Sequence, residues 1–170
     1  IAQGSTYLDA GAVASDAVDG NLTSSIIKTG TVNTQLVGTY VLTYSVKDNS
    51  GNHAVPVTRT IIVSDQTSPT ISLLGQASST FVVGGLYVDQ GAIATDGLNG
   101  DISLQIVRDG VVNPTVVGTY ILTYSVIDAA GNQAIPVTRT VQVIDTQAPI
   151  ITLNGSSSQT LPVGSTYVEL

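Results

Sequence analysis

An 80-residue period governs this chain. Gly4-Ser-Thr-Tyr7-Leu-Asp9-Ala-Gly11 returns as Gly84-Gly-Leu-Tyr87-Val-Asp89-Gln-Gly91, and returns again, shortened, as Gly164-Ser-Thr-Tyr167-Val-Glu169. A period of this length, held without a gap, marks an array of like modules in which each repeat is one packing unit. Arrays supply reach, spacing and multivalency far more often than chemistry. The period divides the chain into residues 1–65, a module lacking its first strand, 66–145, a complete module, and 146–170, the opening strands of a third.

Composition limits what the modules can be. Apolar residues make up 42% of the chain and charged residues 10%, with Val, Ile, Leu and Ala dominating the apolar set. That is enough to build cores, and it excludes a disordered linker. Ser, Thr, Gly and β-branched residues give a strand-and-turn chemistry. No apolar run is long enough to insert in a membrane. The net charge is −7, and the five basic residues (Lys28, Lys47, Arg59, Arg108, Arg139) form no patch, which argues against a nucleic-acid partner. Cysteine is absent, so disulfides and thiolate metal sites are excluded.

Within the complete module the strand signals are regular. Pro69 to Leu73 opens it, Thr80 to Val83 follows, and Gly91 to Asp96 is a short small-residue segment. Ile102, Leu104 and Ile106 alternate with Ser103 and Gln105, which predicts a half-buried strand. Asp109-Gly110 reads as a reversing turn. The clearest strand is Gly118 to Asp128, with Tyr120, Leu122, Tyr124 and Val126 on one face. After the Ala129-Ala-Gly131-Asn132 turn, Gln133 to Asp145 returns as a long strand. Pro136 within it implies an edge or a bulge. Arg139 shares parity with Val137, Val141 and Val143, so either a bulge turns it outward or it snorkels.

Seven short strands in one period, with no helical periodicity, predict an all-β architecture: tandem immunoglobulin-like antiparallel β-sandwiches. Immunoglobulin folds often carry a tyrosine two residues before the second core cysteine. Tyr120 and Tyr40 stand that way before Leu122 and Leu42, with leucine occupying the volume of a disulfide.

The segments Tyr87-Val-Asp89-Gln-Gly91-Ala, Asp96-Gly-Leu-Asn99-Gly-Asp101-Ile, Val117-Gly-Thr-Tyr120 to Asp128, Ala130-Gly-Asn132 and Arg139-Thr-Val-Gln-Val to Asp145 together resemble a family. It is the bacterial immunoglobulin-like repeat of large surface and secreted proteins, a relative of which occurs in some pesticidal crystal proteins. Hyalin-type repeats share the Tyr-x-Val-x-Asp-x-x-Gly-Asn hairpin. The resemblance implies an extracellular, bacterial cell-surface stalk or adhesin module, with no enzymatic activity and no single ligand. Its implied partners are neighbouring modules of the same or an adjacent chain, with a surface glycan or protein as a further partner.

Acids recur at fixed repeat positions. Asp16, Asp19 and Asn21 match Asp96, Asn99 and Asp101, Asp48 matches Asp128, and Asp65 matches Asp145 at the module exits. Calcium takes six to eight oxygen ligands. Asp16, Asp19, Asn21, Asp65, Asp96, Asn99, Asp101 and Asp145 are therefore its candidate ligands, the exit acids being placed to share an ion with the next module. The competing reading is that they cap turns, as Asp and Asn do generally. Nothing supports catalysis: the single histidine, His53, aligns with Gln133 and lies beside a turn. A carbohydrate-binding role lacks tryptophan and leaves Tyr7, Tyr87 and Tyr167 as its candidates. A Lys–Asn isopeptide crosslink is excluded from the complete module, which has no lysine. The sequons at Asn21 and Asn154 are not shared between copies.

The reading these features favour is a rod of modules that holds another functional part away from the surface, with short linkers (Asp65 to Pro69, Asp145 to Pro149) restricting bending. The alternative is a filament subunit. Ile1 to Gly4 aligns with Phe81 to Gly84, so the first module lacks the strand that Pro69 to Leu74 supplies to the second. A donated strand such as that opening at Pro149 fits the exposed edge.

Overall fold

The computed structural model describes residues 1–168; Glu169 and Leu170, the end of the third copy of the motif, lie outside the described residues. Strands account for all the extended regular structure, and the described residues contain no α-helix. In the first repeat the strands are β1 (Ser15–Asp16), β2 (Gly20–Asn21), β3 (Ile27–Thr29), β4 (Gly38–Ser45) and β5 (Val57–Val63). The second has β6 (Thr70–Leu73), β7 (Ser78–Val82), β8 (Ala92–Asp96), β9 (Gly100–Asp101), β10 (Val107–Asp109), β11 (Gly118–Ser125) and β12 (Val137–Ile144).

No sheet joins strands of the two repeats. The second repeat pairs β10-β11-β12-β7 in one sheet and β6-β8-β9 in the other. The first pairs β3-β4-β5 and β1-β2. All pairings are antiparallel except one, β7 lying parallel to β12. In the first repeat Ile1 to Gln3 takes the place of β7, with Ala2 bridging Ser64 in parallel. Among the described residues its other sheet has no counterpart of β6. Instead an open groove of about 420 Å³ runs past Ala12, Ala14, Leu22, Val46 and Ala54.

The alternating residues of β11 and β12 build the core. Leu122, Tyr124, Val126, Val141 and Val143 are buried, and Ala94, Ile102 and Ala134 cluster with Val126. Burying one such aliphatic side chain contributes about 1.5–3 kcal/mol. Tyr120 donates from its hydroxyl to the Val116 carbonyl at 2.9 Å, and Tyr40 to Leu36 at 2.9 Å. The tyrosine expected before each core leucine thus fixes the corner that leads into β11 and β4.

Three local expectations are corrected. Ile102 to Ile106 is not a strand: Ser103–Gln105 forms a 3-10 turn, with Ile102 buried and Leu104 fully exposed. The alternation is satisfied by anchoring the two ends of that turn. Pro136 lies just before β12, and the β11–β12 register runs unbroken from Gly118–Val143 to Tyr124–Val137, so there is no bulge. Asp109-Gly110 ends β10 and opens a loop that reaches to β11 rather than making a two-residue reversal. Glycine is required there: Gly110 has φ 93°, and a Cβ would meet the Ile121 carbonyl oxygen at 2.2 Å.

Arg139 neither bulges outward nor snorkels. It points inward opposite Leu122, is 3% exposed, and ion-pairs with Asp89. Its guanidinium also donates to the Gln76 carbonyl at 3.1 Å, the Gly91 carbonyl at 3.2 Å and the Leu74 carbonyl. Tyr124 donates its hydroxyl to Asp89 at 2.7 Å, and Arg108 reaches the same carboxylate at 3.2 Å. The first repeat repeats the set with Arg59, Asp9, Tyr44 and Lys28.

Candidate functional site

The exit of the first repeat meets the loops of the second, and three aspartates converge there. After β5 the chain passes through Ser64 to Asp65, and the buried ring of Pro69 starts the strand that enters the second repeat. Asp96 ends β8 and Asp128 follows β11, so both stand at the end of the second repeat that faces Asp65. Each of the three places a carboxylate oxygen within 4.8 Å of the others. They are 6%, 7% and 6% exposed for Asp65, Asp96 and Asp128.

Backbone turns hold these carboxylates. Asp65 Oδ1 accepts from the Thr67 amide at 2.9 Å, and Asp96 Oδ2 from the Leu98 and Asn99 amides at 2.9 and 2.8 Å. Asp128 Oδ1 accepts from Ala130 and Asn132 amides, and its Oδ2 from the Asn132 side chain at 2.8 Å. The same Asn132 amide group donates to the Asp65 carbonyl at 3.4 Å, tying the two repeats together. Asp65 Oδ2 and Asp96 Oδ1 are sealed from solvent and receive no hydrogen bond. The four ion pairs among the described residues all use Asp9 or Asp89, so no basic side chain neutralises this cluster. Burial pushes the Asp128 carboxyl up, but the bonds from Asn132 and the turn amides outweigh it and hold it below the usual carboxylate range.

The other candidate ligands lie elsewhere and cap turns. Asp16 Oδ1 accepts from the Val18 and Asp19 amides at 2.8 and 3.0 Å, which lowers its pKa. Asp19 takes both the amide and side chain of Asn49 at 3.0 and 2.7 Å. Asn21 accepts from the Thr23 amide at 2.9 Å. Asp101 accepts from the Ser103 hydroxyl and amide at 2.6 and 2.9 Å, and both hold its pKa down. Asn99 contributes its backbone to the Asp96 turn. Asp145 is exposed and accepts from the Gln147 amide at 2.8 Å, as Asp65 does from Thr67. Asp128, the repeat counterpart of Asp48, stands outside the calcium candidates that the sequence offers. Its sequence signal is the Asp-x-x-Gly-Asn turn.

The aromatic candidates for sugar stacking are mostly packed. Tyr87 stacks on Phe81 with ring centroids 5.6 Å apart, and its hydroxyl is buried. Tyr7 packs against the first core. Tyr167 is exposed.

The sequence profile described as bacterial surface protein, Ig-like domain, matches residues 1–63 and again 71–143. The chain belongs to the bacterial surface protein Ig-like domain family. As a member of this family it carries two matched copies, each with the tyrosine corner and the Arg–Asp–Tyr set, whose arginine is buried in the second copy and partly exposed in the first. It is 32% identical over 139 residues to hyalin of Strongylocentrotus purpuratus, covering 76% of this chain and 11% of hyalin. It is 31% identical over 147 residues to an uncharacterised 81.3 kDa protein of Acholeplasma phage L2, covering 83% of this chain and 20% of that protein. The chain thus spans a small fraction of these curated relatives. A lipoprotein of Bacteroides thetaiotaomicron superposes with a TM-score of 0.43 at 27% identity, over 48% of this chain and 40% of that one. No helix of the described residues is long and apolar enough to cross a membrane.

Proposed function

We propose that this bacterial surface Ig-like chain is a non-enzymatic spacer, a stalk segment of an extracellular cell-surface protein or adhesin that holds another part at a set distance. The observation that carries this reading is the repeated, separately hydrogen-bonded unit joined through an ordered junction. The strands of each repeat pair only with one another, no strand is shared, and the linker residues Asp65 and Pro69 are buried. A linker anchored at both ends by buried Asp65 and Pro69 resists bending in a way that a free Gly/Ser linker does not. The module limits that follow are Gln66 to Asp145 for the complete unit, with neighbouring modules as its first partners. Displayed tips carried on one, two or four copies test it. Tip height should rise linearly with copy number, by about 26 Å per copy from eight-residue strands at ~3.3 Å per residue lying along the rod, plus the loops that join them. Height that does not change with copy number would remove the spacer role.

Strand exchange between separate chains is a second reading, favoured by one pairing of features. The groove of the first repeat lies where β6 sits in the second, and Ile150, Ile151 and Leu153, which align with β6, are 89%, 92% and 69% exposed. A concentration-dependent rise in mass, abolished by Ile151→Asp, supports it. A monomer at all concentrations rejects it.

A further inference from the structure

We propose that the junction between the repeats is a divalent-cation site fitted to calcium, in which Asp65 of one repeat closes on Asp96 and Asp128 of the next. This deepens the spacer reading and rests on it for its purpose: an ion held by both repeats fixes the angle between them. The binding itself rests on the geometry alone.

Three features point to a cation rather than to ordinary turn capping. The first is the spacing. Calcium bonds oxygen at about 2.3–2.6 Å, so two oxygens on one ion lie at most about 5 Å apart, and the three carboxylates meet that limit at 4.8 Å. The second is the pair of sealed oxygens. Asp65 Oδ2 and Asp96 Oδ1 have no hydrogen-bond partner although both side chains are more than nine-tenths buried. An ionised oxygen that leaves water without a partner is strongly unfavourable, and a metal ion removes that cost. The third is how the remaining oxygens are used. The amides of Thr67, Leu98, Asn99, Ala130 and Asn132 hold the other side of each carboxylate, so the acids cannot turn outward to water without breaking their turns.

The chemistry of the donor set selects the ion. Three carboxylates and no imidazole or thiolate suit a hard cation rather than zinc or copper. Magnesium demands near-ideal octahedral geometry and keeps several waters, whereas calcium accepts irregular, carboxylate-rich sites.

The site belongs to a junction and not to a repeat. Asp16 and Asp48 stand in the first repeat where Asp96 and Asp128 stand in the second, and among the described residues no third acid joins them. Asp145 makes the turn that Asp65 makes, but is exposed. Only where one repeat's exit meets the next repeat's loops are all three acids brought together. One ion per junction follows.

The test uses the full chain, stripped with chelator and titrated with calcium chloride. Calorimetric titration should show one ion per chain. Tm should rise by roughly 10 °C or more once calcium exceeds Kd about 100-fold. Asp65→Asn, at the linker and outside both cores, should fold and lose the calcium response. Asp16→Asn, in the incomplete pair, should keep it. No binding and no Tm shift in the unaltered chain overturns the proposal, and so does a full response surviving in Asp65→Asn. The spacer reading fails separately. An extended scattering profile in chelator without any calcium response leaves the spacer and rejects the ion; a compact profile with a calcium response does the reverse.

Discussion

The two repeats contain the same arginine in different surroundings, and one substitution made in each tests what holds the fold. Arg139 is 4% exposed by side chain and Asp89 10%, and the Leu74 and Gln76 carbonyls close over the guanidinium. Arg59 is 37% exposed and donates to Gly11 and Asp9 without that cover. Arg139→Met keeps the bulk of the side chain. It leaves Asp89 with only Tyr124, Arg108 and the Gly91 amide, and strands the carbonyls of Leu74 and Gln76. Removing one partner of a buried pair costs about 3–5 kcal/mol. Because Asp89 keeps some partners, the lower end applies, about 3 kcal/mol, or a Tm loss of at least about 12 °C for a domain of this size. Arg59→Met should cost clearly less, because the Arg59 guanidinium is itself open to water and donates to only one backbone carbonyl, that of Gly11. Native-state amide exchange separates the repeats, the β11 and β12 amides reporting one and the β4 and β5 amides the other. Equal losses in both repeats, or a loss within about 0.5 kcal/mol for Arg139→Met, would refute the view that burial gives this pair its weight.

Leu122→Ala should destabilise the second repeat by about 2–5 kcal/mol through the cavity it leaves, whereas Leu104→Ala, on the exposed side of the 3-10 turn, should change chemical denaturation by less than about 0.5 kcal/mol. In alkali, Tyr124 is pushed up to about 12 by burial and by its bond to Asp89. The folded state then binds more protons than the unfolded one above pH ~10, and stability should fall from there to pH ~12. In acid the sign reverses. The Asp89 carboxyl lies below the usual range because Tyr124, Gly91, Arg108 and Arg139 outweigh its burial. Its contribution is present above the unfolded carboxylate pKa and should be lost as pH falls through the lower folded value; a Tm flat across both windows would contradict this. A chain of residues 66–145 should fold alone, since all seven of its strands pair within it, and a collapsed amide spectrum would contradict those limits.

Much of the fold was legible because strand alternation and a fixed period both report on burial. The Tyr120–Leu122 pair announced the corner, and the core positions of β11 followed from parity alone. Ile102, Leu104 and Ile106 misled because a 3-10 turn anchored at both ends by apolar residues gives the same alternation as a strand. Arg139 was unreadable because its partner, Asp89, lies 50 residues away, and no local pattern encodes a long-range ion pair. Asp65 and Asp96 could be picked as recurring acids. Their meeting with Asp128 could not, because it depends on how one repeat's exit abuts the next repeat's loops. The parallel pairing of β7 with β12 was likewise invisible to periodicity, which fixes the face of a strand but not its neighbour.

Small-angle X-ray scattering of the whole chain in solution tests most directly whether the repeats are held end to end as a rod. Two units, residues 1–65 and 66–145, set about 30 Å apart along their strands, give a radius of gyration near 20 Å. A single compact body of 170 residues would give about 15 Å. The predicted result is the larger value with an elongated distance distribution, unchanged from dilute to concentrated protein. The smaller value, with a symmetric distribution, would contradict a spacer built from stacked repeats.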